Sequence, residues 1–194
     1  MTISLGVLFS GGGRTILNLL DCIDRGELDA SISIAIASRE GLTGTDRLIE
    51  RDIDVAIAQV SGMSLEEGDA RTNVWLAESK PDLICLCGYL RRLEIKPWMV
   101  GKAVNIHPAL LPAHGGKGMY GMRVHNSVLE NGDFTSGCTV HLVDGEYDHG
   151  PIILQRKCEI QSGDTPQDLA DRVFDLECEA YPEAIRQLVA MMQP

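Results

Sequence analysis

Leu83-Ile84-Cys85-Leu86-Cys87 is an unbroken apolar run bounded by Lys80-Pro81 on one side and Gly88 on the other. A run this short, without polar alternation, suits a strand covered on both faces, the environment of a central strand in a parallel sheet. Reading outward from it, short apolar runs alternate with helical patterns in both directions. Upstream, residues 3–9 read as the first strand, 15–25 as a helix, 32–37 as the second strand, 44–51 as a helix and 54–59 as the third strand, with another helix before Lys80-Pro81. Downstream, residues 104–107 read as a strand, 121–130 as a helix, 135–143 and 152–159 as strands, and 165–191 as a closing helix that bends near Pro182. The class is α/β, a mostly parallel sheet with helices on both faces. Residues 1–194 are expected to form a single domain without internal repeats.

Composition excludes several functions. An apolar fraction of 44% is ordinary for a globular chain, and no apolar run approaches the roughly 18 residues of a membrane helix. The start, Met1-Thr2-Ile3-Ser4-Leu5, lacks the basic residues and cleavage site of a secretory signal, so a cytoplasmic location is expected. Six cysteines lie mostly in apolar runs without CxxC spacing, which predicts buried reduced thiols and no metal site. A formal charge of −11 argues against nucleic-acid binding. An anionic ligand would need a local positive patch.

Chemistry concentrates in Asn105-Ile106-His107-Pro108-Ala109-Leu110-Leu111-Pro112. If residues 104–107 are extended, Asn105 and His107 share one face and Ile106 takes the other. An amide donor can stabilise an oxyanion, and a histidine can move a proton near neutral pH; a histidine that merely finishes a strand is the competing reading. Farther on, Val143-Asp144-Gly145-Glu146-Tyr147-Asp148-His149-Gly150-Pro151 is either an acidic surface turn or a loop whose Asp148 orients His107 or a water. Near the start, Ser10-Gly11-Gly12-Gly13-Arg14-Thr15 is either a tight strand-to-helix turn or a phosphate cradle of backbone N–H groups at a helix N-terminus. Gly88-Tyr89-Leu90-Arg91-Arg92-Leu93 follows the central strand, where ligands gather in open α/β sheets. His114-Gly115-Gly116-Lys117-Gly118-Met119-Tyr120-Gly121 reads as a surface loop or a mobile cover. His125 and His141 read as core or rim residues without a catalytic role.

The order Asn-x-His-Pro-x-Leu-Leu-Pro, then Leu129-Glu130-Asn131-Gly132-Asp133, Gly137-Cys138-Thr139-Val140-His141 and Asp148-x-Gly150-Pro151-Ile152-Ile153-x-Gln155, closely resembles the folate-dependent formyltransferases. Within them it is most similar to those that formylate glycinamide ribonucleotide in purine synthesis. The resemblance spans nearly the whole chain and is most specific over residues 81–182. It implies a Rossmann-like, doubly wound sheet. It also implies 10-formyltetrahydrofolate as formyl donor, no metal, small-molecule partners, no membrane, and a monomer or homodimer.

Carried over residue by residue, it makes Asn105, His107 and Asp148 catalytic. Gly12, Gly13, Arg14 and Thr15 become the acceptor's phosphate loop, and Glu177 the ligand of its ribose. Leu90, Arg91, Arg92, Leu93, Val143 and Asp144 line the folate pocket, largely through backbone groups. The family's phosphate loop usually ends in Ser/Thr-Asn, where this chain has Arg14-Thr15, so another phosphorylated amine is an alternative acceptor. A formyltetrahydrofolate hydrolase would be expected to carry an N-terminal regulatory domain, and a sugar or tRNA formyltransferase a C-terminal one. A silent nucleotide-binding regulator would not be expected to keep all three catalytic residues.

Overall fold

The computed structural model describes residues 2–192; Met1, Gln193 and Pro194 lie outside the described residues. Two compact units divide the chain, the first running to Val104 and the second beginning at Asn105.

The first unit contains β1 (Ile3–Phe9), α1 (Arg14–Asp24), β2 (Ala30–Arg39), α2 (Thr43–Ile49), β3 (Val55–Gln59), α3 (Leu65–Ser79) and β4 (Leu83–Leu86). β1 pairs in parallel with both β2 and β4, and β2 pairs in parallel with β3. β4 is buried along its whole length, and Leu5, Val7, Leu8 and Phe9 of β1 are sealed from solvent. Burial on both faces explains why neither strand alternates polar and apolar residues. Helix boundaries follow from capping. α1 starts one residue earlier than periodicity suggests, because Gly13 at φ 72° turns the chain directly into Arg14. At α3, Ser64 and Glu67 exchange hydrogen bonds in a capping box, and Lys80 at φ 46° ends the helix ahead of Pro81.

β5 (Ala103–His107) follows a short 3₁₀ turn at Pro97–Met99 that periodicity did not reveal. The second unit continues through α4 (Met122–Glu130), β6 (Thr135–Leu142), β7 (Ile152–Glu159) and α5 (Pro166–Met192). β6 and β7 are antiparallel. Their connection, residues 143–151, is shorter than the dozen or more residues that a parallel crossover requires. α5 packs on β6, β7 and α4, burying Leu169, Val173, Tyr181, Ile185 and Leu188 and continuing through Pro182. Within the first unit the strand order is β3-β2-β1-β4.

Candidate active site

Strand alternation in β5 carries Asn105 and His107 to a common neighbour, Asp148. Asn105 Nδ2 lies 3.4 Å from Asp148 Oδ1 and 3.1 Å from His141 Nε2. His107 Nδ1 lies 3.4 Å from Asp148 Oδ2, and both side chains of that pair are largely buried. Asp148 holds φ 54°, a conformation rare for a residue with a side chain. Its Oδ2 also accepts the Gly116 N–H at 2.9 Å.

The other ring nitrogen of His107 fixes its tautomer. Nε2 sits 2.9 Å from the His114 carbonyl oxygen, and a carbonyl can only accept, so Nε2 carries the proton and the basic Nδ1 faces Asp148. Burial pulls the His107 pKa below the ordinary imidazole range, and Asp148 opposes that pull. For Asp148, burial pushes upward, yet His141, His107 and the Gly116 N–H together hold the carboxyl below its usual range. The result is a neutral base beside an ionised carboxylate.

The loop after β5 is held from β6 and β7. Buried Thr139 donates to the Ala109 carbonyl at 2.6 Å and accepts the Leu111 N–H at 3.0 Å. Gln155 Nε2 donates to Thr139 Oγ1 and to the Leu111 carbonyl. The Leu111-Pro112 peptide is cis. Every polar side chain in this network belongs to the motif order quoted above.

His141 is buried, as expected of a core residue, and its contacts are more specific than the sequence suggested: its Nε2 touches Asn105 and lies 3.8 Å from Asp148 Oδ1. A signal existed: alternation puts His141 on the strand face of Thr139, near the end of β6. His114 was also read only as part of a loop. Its ring bonds Ser127 and Asp133, so the glycine-rich segment is tied down at this end, while Lys117, Gly118 and Tyr120 are exposed.

In the first unit, the Gly11–Gly13 turn packs on α2. A Cβ at Gly44 would stand 2.7 Å from the Gly11 carbonyl oxygen and 2.9 Å from the Gly13 nitrogen, so glycine is required there for the close approach. Arg47 Nη1 donates to the Gly12 carbonyl at 3.1 Å, a second arginine at this turn beside Arg14. α1 has no acidic residue in its first turn and no side-chain cap, leaving the positive end of its dipole unopposed locally.

Residues 90–93 are more committed than expected. The Arg91 guanidinium is no solvated loop group, because it pairs with Asp69 at 2.6 Å and donates to the Leu65 carbonyl. Leu90 N–H donates to Ser10 Oγ at 2.9 Å, so it is spent within the protein. Leu93 is buried, whereas the Leu90 and Arg92 side chains are exposed.

In the loop after β6, Asp144 accepts from Glu146 N–H and from His149 Nδ1 at 2.7 Å. Glu177, on α5, is half-buried rather than on an open helix face. Burial, helped by the Glu177 carboxylate, pushes the Cys138 thiol up to about 12. Of the six cysteines, Cys22, Cys85, Cys87 and Cys138 are buried. Among the described residues no helix is long and apolar enough to cross a membrane, and no histidine, cysteine and carboxylate cluster has the form of a metal site.

The sequence pattern of the formyl transferase family matches residues 4–185. The chain belongs to this family. Glycinamide ribonucleotide transformylase 1 from Symbiobacterium toebii superposes with a TM-score of 0.85 at 34% identity, over 95% of this chain and 86% of that one. Phosphoribosylglycinamide formyltransferase from Brucella melitensis gives a TM-score of 0.86 at 31% identity, over 98% and 97% of the two chains. The chloroplastic phosphoribosylglycinamide formyltransferase of Arabidopsis thaliana is 32% identical over 185 residues, covering 93% of this chain. The chain spans about three fifths of the length of the plant relatives it matches, 63% and 60% for the two. The α/β, mostly parallel architecture is thus the fold that formyl transferases share.

Proposed function

We propose that the protein transfers a formyl group from 10-formyltetrahydrofolate to the amine of glycinamide ribonucleotide, a step of purine synthesis. The observation that carries this reading is the convergence of Asn105, His107 and Asp148, an amide donor, a neutral base and an ionised carboxylate around one point. The amine attacks the formyl carbon and the carbonyl oxygen becomes an oxyanion, which accepts a hydrogen bond from Asn105 Nδ2. The amine proton passes to His107 Nδ1, directly or through a water on Asp148, and the resulting imidazolium is stabilised by that carboxylate. The same proton then moves to the folate nitrogen as its bond to the formyl carbon breaks. No covalent bond to the protein forms.

Gly12, Gly13, Arg14 and Thr15 hold the acceptor's phosphate in this reading, supported by the unopposed helix N-terminus and the two arginines at the turn. Glu177 takes the ribose hydroxyls. Backbone groups of Leu90, Arg91, Arg92, Leu93, Val143 and Asp144 receive the folate, with the Leu90 N–H excepted because Ser10 occupies it.

The deciding experiment incubates the protein with 10-formyltetrahydrofolate and glycinamide ribonucleotide and follows tetrahydrofolate release. Release that depends on the ribonucleotide is expected. Release at the same rate in buffer alone would make the protein a hydrolase, and release only with another phosphorylated amine would reassign the acceptor.

A further inference from the structure

We propose that His114, clamped through both ring nitrogens by Ser127 and Asp133, is the positioning residue that fixes the tautomer of His107 and seats Asp148 for formyl transfer. The proposal rests on the catalytic reading of those two residues.

His114 occupies φ 54°, a region that residues with side chains rarely adopt. Such a conformation persists only where the surroundings over-determine it. Here they do. Nε2 of its ring lies 2.7 Å from Asp133 Oδ2 and Nδ1 lies 2.9 Å from Ser127 Oγ. The neighbouring ring hydrogen bond, with the Asn131 amide at 2.8 Å, holds the Asp133 carboxyl below its usual range. An ionised carboxylate only accepts, so His114 carries its proton on Nε2. In the neutral ring, Nδ1 then accepts from the Ser127 hydroxyl. α4 and the turn that follows it thereby hold the ring from two sides.

What the clamp secures is the backbone of residues 114–116. The His114 carbonyl receives the His107 Nε2–H at 2.9 Å, and two residues later the Gly116 N–H reaches Asp148 Oδ2 at 2.9 Å. That oxygen is the one lying 3.4 Å from His107 Nδ1. One short segment therefore touches the catalytic base on its non-reacting side and the carboxylate on its basic side. Gly115 between them is pinned by space, since a Cβ there would meet Leu111 Cδ2 at 2.5 Å and Asp148 Cβ at 3.2 Å. Rotation at 114 would carry both contacts away together.

The test uses the intact protein with ¹⁵N-labelled histidine. Its variants are His114→Phe, Asp133→Asn and Ser127→Ala, the last two being less buried changes that spare the core. Imidazole ¹⁵N spectra of the unliganded proteins read the His107 tautomer. The wild type is expected to show a single Nε2–H form, and His114→Phe and Asp133→Asn a mixture. In the formyl-transfer assay kcat should fall about ten- to a hundredfold with KM for both substrates nearly unchanged. His114→Gln, which keeps a donor toward Asp133, should recover part of both signals. An unaltered His107 spectrum in His114→Phe and Asp133→Asn, or unaltered kcat, overturns the proposal. The tautomer change in the variants, together with a wild type that formylates nothing, would overturn the functional reading while supporting the positioning of His107.

Discussion

His107 is held by opposing demands at its two nitrogens, a carbonyl acceptor on Nε2 and the Asp148 carboxylate near Nδ1. In the proposed formyl transfer its value lies in being neutral and basic at neutral pH. Asn105→Ala, His107→Ala and Asp148→Asn should each lower kcat by about a hundredfold or more while circular dichroism stays native, since one oxyanion donor alone contributes about 3 kcal/mol to a transition state. Near-normal turnover in all three would sink the assignment. The pH dependence has a definite sign. Burial lowers the His107 pKa, so the acid limb of kcat/KM should lie below the ordinary imidazole value of 6.5. Asp148 raises that pKa, so Asp148→Asn should move the His107 titration to still lower pH, measured by proton NMR of its ring. A His107 that titrates at the same pH in both proteins would show that the carboxylate does not act on it.

In the proposed reading, the turn between β1 and α1 is a phosphate site that an element makes and no single residue could. Gly13 sets the entry to the helix, Gly44 of α2 lets the turn sit against it, and Arg47 of α2 holds the Gly12 carbonyl. Arg14 stands at the first helical position, where a charge-assisted contact to phosphate contributes about 1.5–3 kcal/mol. Arg14→Ala should therefore weaken glycinamide ribonucleotide binding about tenfold or more and leave folate binding unchanged in calorimetric titrations. Gly44→Ala should produce a similarly selective loss by a different route, because the new methyl displaces the turn rather than removing a charge. Equal losses of acceptor and folate affinity in both variants would mean that the turn is structural and the phosphate is held elsewhere.

At the scale of the whole molecule, the buried histidines couple folding to pH. His107 and His125 both have pKa values lowered by burial, and His125 Nδ1 has no hydrogen-bond partner among the described residues. Between their folded pKa values and 6.5 the unfolded chain binds more protons than the folded one, so stability falls as pH drops through that window. His149 acts in the opposite direction. Its pKa is raised by Asp144, so its contribution is full below the ordinary imidazole value and disappears as pH rises through the raised one; it is exposed and its effect is small. Asp148 and Asp164 contribute above the carboxylate range and lose that contribution only in stronger acid. The melting temperature is accordingly expected to fall between about pH 7 and pH 5, and His125→Phe to flatten that fall. A melting curve that is level over this interval in the wild type would contradict the burial argument.

By itself the sequence determined the succession of elements and which side chains of a strand share a face. β1 and β7 run over the ranges that apolar patterning marks, α3 ends at Lys80 because Pro81 follows, and Asn105 and His107 share a face because strands alternate. These are local rules, carried by neighbouring residues. Tertiary structure decided the rest: His141 against Asn105, the His114 ring between Ser127 and Asp133, Arg91 drawn to Asp69, and the Leu90 N–H taken by Ser10. Each of these contacts joins segments far apart in the chain through register and packing, which no pattern along the chain encodes. The proton affinity of His107 belongs with them, since burial and a carboxylate about forty residues away in sequence set it together.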